Sequence, residues 1–146
     1  MDVKVMTDAQ RTAADIAVDV QALEHLLSGV DGPAVDDDIA ERADQMVSDY
    51  SDGDDYSGDY TVSAYINGVL DVEIDGRYLA NLNFWDVRQV ALLVGFGGPT
   101  SRIISNGGDD VVVVVNWWND NANVTVYAPR LAAIIFGLAD DLSGAN

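Results

Sequence analysis

Apolar residues recur along the first part of the chain with the period of a helix. Ala13, Ile16, Val20, Leu23 and Leu27 are spaced three, four, three and four apart and form one stripe over residues 8–28. Thr7 or Asp8 is placed to cap this helix, and Gly29 follows its last turn as a stop. A second helix is predicted over 37–50, with Ile39, Ala43, Met46, Val47 and Tyr50 on its apolar side. At about 100° per residue, Asp37, Glu41, Asp44 and Ser48 fall on the opposite side. Asp36 stands at the N-cap position, and Asp37 and Asp38 then lie in the first turn against the positive helix end.

From Tyr60 the period shortens to two. Val62, Ala64 and Ile66 alternate with Thr61, Ser63 and Tyr65, which predicts a strand over 60–67. Asn67-Gly68 and Asp75-Gly76 are two-residue hairpin signals. They bound strands 69–75 (Leu70, Val72 and Ile74 inward) and 77–84 (Tyr78, Ala80, Leu82 and Phe84 inward). A short helix is expected over 86–94, with Asp86 as its cap and Val87, Val90, Leu93 and Val94 on its apolar side. Strands follow over 101–105, 110–118 and 123–128, with Asn119-Asp120-Asn121 as the last turn. Val111–Val115 is apolar on both faces, the mark of a central strand. Pro129 opens a final helix, 130–142, with Leu131, Ile134, Ile135, Leu138 and Leu142 on one face.

This order predicts a single α+β domain. It has an N-terminal helical pair (1–50), an acidic linker (51–59), and a largely antiparallel sheet of five to six strands arranged meander–helix–meander, closed by a C-terminal helix (60–146). At 146 residues, 49% of them hydrophobic, the chain is long enough and apolar enough to bury a core. It has no apolar run of the ~18 residues a membrane span needs, and no basic-then-apolar leader is read at its start. A cytoplasmic location is the expectation.

Charge changes the picture most. The chain carries 25 acids against seven bases, a net −18. Eleven acids and one base, Arg42, lie within residues 31–59. Such a balance disfavours direct binding to nucleic acid or to an anionic membrane, both polyanions, and favours a basic partner.

Candidate chemistry is thin. No cysteine is present, so disulfides, thiolate nucleophiles and Cys-based metal sites are excluded. The one histidine, His25, stands near the edge of the first helix's apolar stripe. Gly95-Phe96-Gly97-Gly98 lacks the lysine of a phosphate-binding loop and reads as a turn. Asp71, Glu73 and Asp75 share one strand face at ~6.8 Å spacing, near a glycosidase pair but equally a solvated sheet face. Asp52-Gly53-Asp54-Asp55 with Asp59 offers oxygen ligands for calcium without the EF-hand pattern, since position 63 is serine. No catalytic residue, metal ligand or cofactor site is assigned.

The residues assigned to a partner are Asp36, Asp37, Asp38, Glu41, Asp44 and Asp49 of the second helix and Asp52, Asp54, Asp55, Tyr56 and Asp59 of the linker, with Trp118. Carboxylates along one helix face imitate a run of phosphates, so the expected partner is a basic, nucleic-acid-binding protein. In size, acidity and lack of catalytic motifs the chain resembles the class of phage and plasmid inhibitors that mimic DNA against restriction or CRISPR complexes. By element order it also looks like the small acidic dimeric chaperones of type III secretion, which implies a homodimer binding a client segment. A third expectation is solvent adaptation: 22 of the acids are Asp and a single lysine, Lys4, is present, as in proteins of salt-loving organisms.

Overall fold

The computed structural model describes residues 6–29, 34–50, 58–95 and 100–142. Three helices come first: α1 (Asp8–Ser28), α2 (Asp37–Tyr50) and α3 (Gly58–Asn67). Five strands follow: β1 (Asp71–Leu79), β2 (Phe84–Gly95), β3 (Thr100–Ser105), β4 (Asp110–Trp117) and β5 (Asp120–Tyr127). Helix α4 (Pro129–Leu142) closes the chain. The strands form one antiparallel meander in sequence order. The architecture is α+β, with the helices before and after the sheet.

Helix α1 is capped as its sequence dictates. The Thr7 hydroxyl accepts from the Gln10 N–H while the Gln10 side chain accepts from the Thr7 N–H, a reciprocal capping box. Gly29, at φ 72°, ends the helix in a backbone conformation that few other residues tolerate. α1 lies on β4 and β5, with α4 beside it across β2, β3 and β4. Helices α2 and α3 pack on the outer side of α1. α1 is therefore surrounded, and its buried set (Ala9, Ala17 and Ala22 besides Ala13, Val20 and Leu23) is wider than one stripe. The core joins these residues to Val90, Leu92, Ile103, Val111, Val113 and Val115 on one face of the sheet. β4 sits between β3 and β5, as its two apolar faces require.

The region 58–95 departs from the periodicity reading. Residues 58–67 are helical rather than a strand: Val62 and Ile66, four apart, both turn into the core, so the same residues satisfy a helical period. Asn67-Gly68 is a helix end, where the Gly68 N–H reaches the Ala64 and Tyr65 carbonyls, and not a hairpin. Asp75-Gly76 lies within the continuous strand β1, opposite a bulge in β2 where Arg88 is left out of the register. A Cβ at Gly76 would stand 2.5 Å from the Asp86 carbonyl oxygen, so glycine serves the close approach of two strands there. The turn falls later, at a short 3-10 segment Ala80–Leu82 followed by Asn83 in the left-handed region. Residues 86–94, expected as a helix, belong to β2, hydrogen-bonded to β1 and β3 on its two sides. Asp86 is no helix cap; it pairs with Arg77 across the ladder at 3.7 Å. The last turn is Trp118-Asn119, and Asp120 already opens β5, its carboxylate accepting from the Ala9 N–H at 3.2 Å.

Candidate binding surface

Helix α2 forms its acidic face by simple geometry. Ile39, Ala43 and Met46 are buried against α1, which leaves Asp37, Asp38, Glu41, Asp44 and Asp49 exposed. Asp36 occupies the N-cap position, its carbonyl accepting from the Ile39 and Ala40 N–H groups at 3.0 Å. Asp49 accepts from the Gln45 amide at 2.8 Å. Among the described residues, no ion pair involves an α2 carboxylate.

The base within α2 faces the other way. Arg42 Nε donates to the Asp19 carboxylate of α1 at 2.6 Å, with side-chain exposures of 35% and 21%. That bond holds the guanidinium firmly protonated. Tyr50 and Tyr65 close the same junction edge-on, with ring centroids 6.0 Å apart. The Tyr65 hydroxyl is pushed far above the usual tyrosine range, first by burial and then by the charge of Asp19. The outward surface of α2 is thus left to its acids.

The other assigned residues are not gathered here. Asp59 is exposed in the first turn of α3, while Asp52, Asp54, Asp55 and Tyr56 lie outside the described residues, as does most of the calcium-loop candidate. Among the described residues no group of three or more His, Cys, Asp or Glu could hold a metal ion. Trp118 is not on a strand. It stands in the β4–β5 turn at φ 46°, 84% exposed, its ring edge-on to Trp117 at 6.0 Å. That turn adjoins the start of α1 through the Asp120–Ala9 bond, whereas Val35 and Ile39 line a cleft with the last turns of α1. Trp118 and the Asp36–Asp38 turn therefore lie toward opposite ends of a 21-residue helix, about 30 Å long.

No protein family, curated protein or solved structure that we compared matches the chain.

A second exposed patch escaped the periodicity reading. Tyr78, Leu82 and Phe84, expected to point inward, are exposed together with Trp85 at the β1–β2 hairpin end. The Tyr78 and Trp85 rings pack at a tilt of 48° with centroids 5.5 Å apart, and the Tyr78 hydroxyl donates to the Asn83 side chain, which fixes the turn. The density of aromatic residues around Asn83 was the available signal.

His25 lines a cleft of about 320 Å³ between α1, α2, β5 and α4. Its Nδ1 is buried and has no hydrogen-bond partner among the described residues. Beside it, Glu24 accepts from the Leu131 N–H at 2.9 Å and from Arg130 at 3.3 Å, so its carboxylate is used in fastening α4 to α1. On the sheet, Glu73 is held below the usual carboxylate range by its hydrogen bond to Arg102. A depressed, ion-paired carboxylate is the reverse of what a general acid requires.

Proposed function

We propose that this chain is a non-catalytic acidic binding protein whose α2 face occupies the basic, nucleic-acid-binding surface of a partner protein, as a DNA-mimic inhibitor of a restriction or CRISPR-type complex does. The observation that carries the reading is the division of charge on α2: five exposed carboxylates with no ion pair among the described residues, and the one arginine turned inward onto Asp19. Asp37 to Asp49 spans about 18 Å of helix axis, or one carboxylate per ~4.5 Å, against one phosphate per ~3.4 Å along a nucleic-acid strand. A lysine- or arginine-lined channel that accepts the second spacing meets a comparable field from the first. The protein's own net charge of −18 argues against direct contact with nucleic acid or an anionic membrane. Such an inhibitor acts in the cytoplasm.

The test is competition. Purified restriction and CRISPR-type complexes are loaded with fluorescent duplex DNA and titrated with this protein, and release of DNA is read by anisotropy. Displacement by the wild type, lost on changing Asp37, Glu41 and Asp44 together to Asn, Gln and Asn, supports the reading. Displacement by the triple variant at the wild-type concentration refutes it.

A further inference from the structure

The face of the sheet turned away from the helices is not built like a solvated face. At its centre stand Ala91, Leu93, Ile104, Val112 and Val114, none of which joins the helix-side core. Every helix–sheet packing of note among the described residues falls on the other face. An open antiparallel face ordinarily alternates to polar residues; here the inner strands carry this apolar cluster, broken by Arg102 on β3 and bounded by Gln89 on β2 and by Asp110 and Asn116 at the ends of β4. On β1 the edge is acidic, with Asp71, Glu73 and Asp75. On β5 it carries amides and a hydroxyl, with Asn121, Asn123 and Thr125 exposed.

We propose that this face is covered by a second copy of the chain, in a two-fold dimer whose axis runs along β3. The registers make the face self-complementary about that strand. One row across the sheet reads Asp71, Leu93, Arg102, Val114, Asn123, and the next reads Glu73, Ala91, Ile104, Val112, Thr125. A two-fold axis along β3 lays β1 of one copy on β5 of its partner, and β2 on β4. Carboxylates then meet amide and hydroxyl donors, and Leu93 and Ala91 meet valines. The alternative axis, across the strands, sets the acidic row of β1 on itself and is disfavoured by like charge. Arg102, next to the axis, is already neutralised by Glu73 at 2.5 Å in its own chain. Five strands at ~4.8 Å and six to eight residues at ~3.4 Å give about 600 Å² per copy, or ~1,200 Å² in all, the lower bound of a stable interface. The acidic faces of α2 remain outward in both copies, so the dimer presents two of them.

The test uses the full chain in sedimentation velocity up to about 100 µM at physiological salt. Asn123→Asp places an acid opposite the partner's acidic row and is expected to weaken the dimer about threefold to tenfold; Asn123→Lys is expected to tighten it by a similar factor. The same pair of charges at Ala133, exposed on α4, is expected to leave association unchanged, which separates this contact from net charge. With no native cysteine, Ile104→Cys should be joined to its mate by a short bismaleimide, since facing sheets lie ~10 Å apart, while Asn123→Cys, roughly 20 Å from its mate, should not. A monomer throughout the concentration range overturns the proposal. So does a dimer that responds alike to aspartate and lysine at position 123.

Discussion

Replacing Arg42 by methionine tests whether the inward arginine is what seats the acidic helix. The side chain is about two-thirds covered and its partner Asp19 about four-fifths, so the pair lies between an exposed and a buried one. Exposed pairs contribute ~0.2–1 kcal/mol, and removing one member of a buried pair costs ~3–5 kcal/mol. Methionine keeps most of the aliphatic packing but leaves Asp19 facing Tyr50 and Tyr65 without a cation. A loss of about 2 kcal/mol follows, or ~6–8 °C in Tm for a chain of this length. Urea unfolding followed by far-UV circular dichroism should show the midpoint falling by about 1 M. The cycle with Asp19→Asn should return a coupling of ~1–2 kcal/mol, because the double variant no longer strands a buried charge. A cost below ~0.5 kcal/mol, or strict additivity with Asp19→Asn, would refute the role given to this pair.

Three further outcomes follow from the sheet. Gly76→Ala should destabilise by about 1–3 kcal/mol in urea melts, because the new Cβ meets backbone rather than a movable side chain. Trp118→Gly should raise stability by roughly 1 kcal/mol by relieving a positive φ at an exposed site; a loss would mean that the edge-on contact with Trp117 outweighs the strain. Glu73→Gln should cost under ~1 kcal/mol near neutral pH, since the pair with Arg102 is part-exposed. The folded-state pKa of Glu73 is depressed, so its contribution is present above the unfolded value of ~4.3 and is lost as pH falls through the lowered one. Melts of wild type and variant should therefore converge on acidification; a gap that does not narrow as pH falls would count against the ion pair.

The helices at either end were legible because several signals agree there. Thr7 or Asp8, Gly29, Asp36 and Pro129 mark boundaries independently of the apolar period, and α1, α2 and α4 begin where those residues put them, to within a residue. Between residues 58 and 95 the signals conflict. Val62 and Ile66 fit both a strand and a helix, and Val87, Val90 and Val94 carry a helical spacing inside a strand. Pairing of β2 on both sides decides the second case, and such long-range pairing leaves no local trace. Gly76 was legible as a breaker, yet a close approach of strands and a turn demand the same residue. The acidic side of α2 could be read from its period alone. Which way Arg42 points could not, since Asp19 lies 23 positions earlier and only the packing of two helices brings them together.

The α2 carboxylates serve either a partner or a saline solvent, and a thermal melt across KCl separates the two most directly. Between ~20 mM and ~2 M the Debye length shrinks from about 20 Å to a few ångströms, so repulsion among the clustered acids is exposed at one end and screened at the other. A cooperative transition well above 37 °C at ~20 mM is expected, because burial of Ile39, Ala43 and Met46 and the Arg42–Asp19 bond hold α2 without help from salt. A chain that is unfolded at low salt and folds only near molar KCl would assign the acids to the solvent and overturn their role in binding a partner.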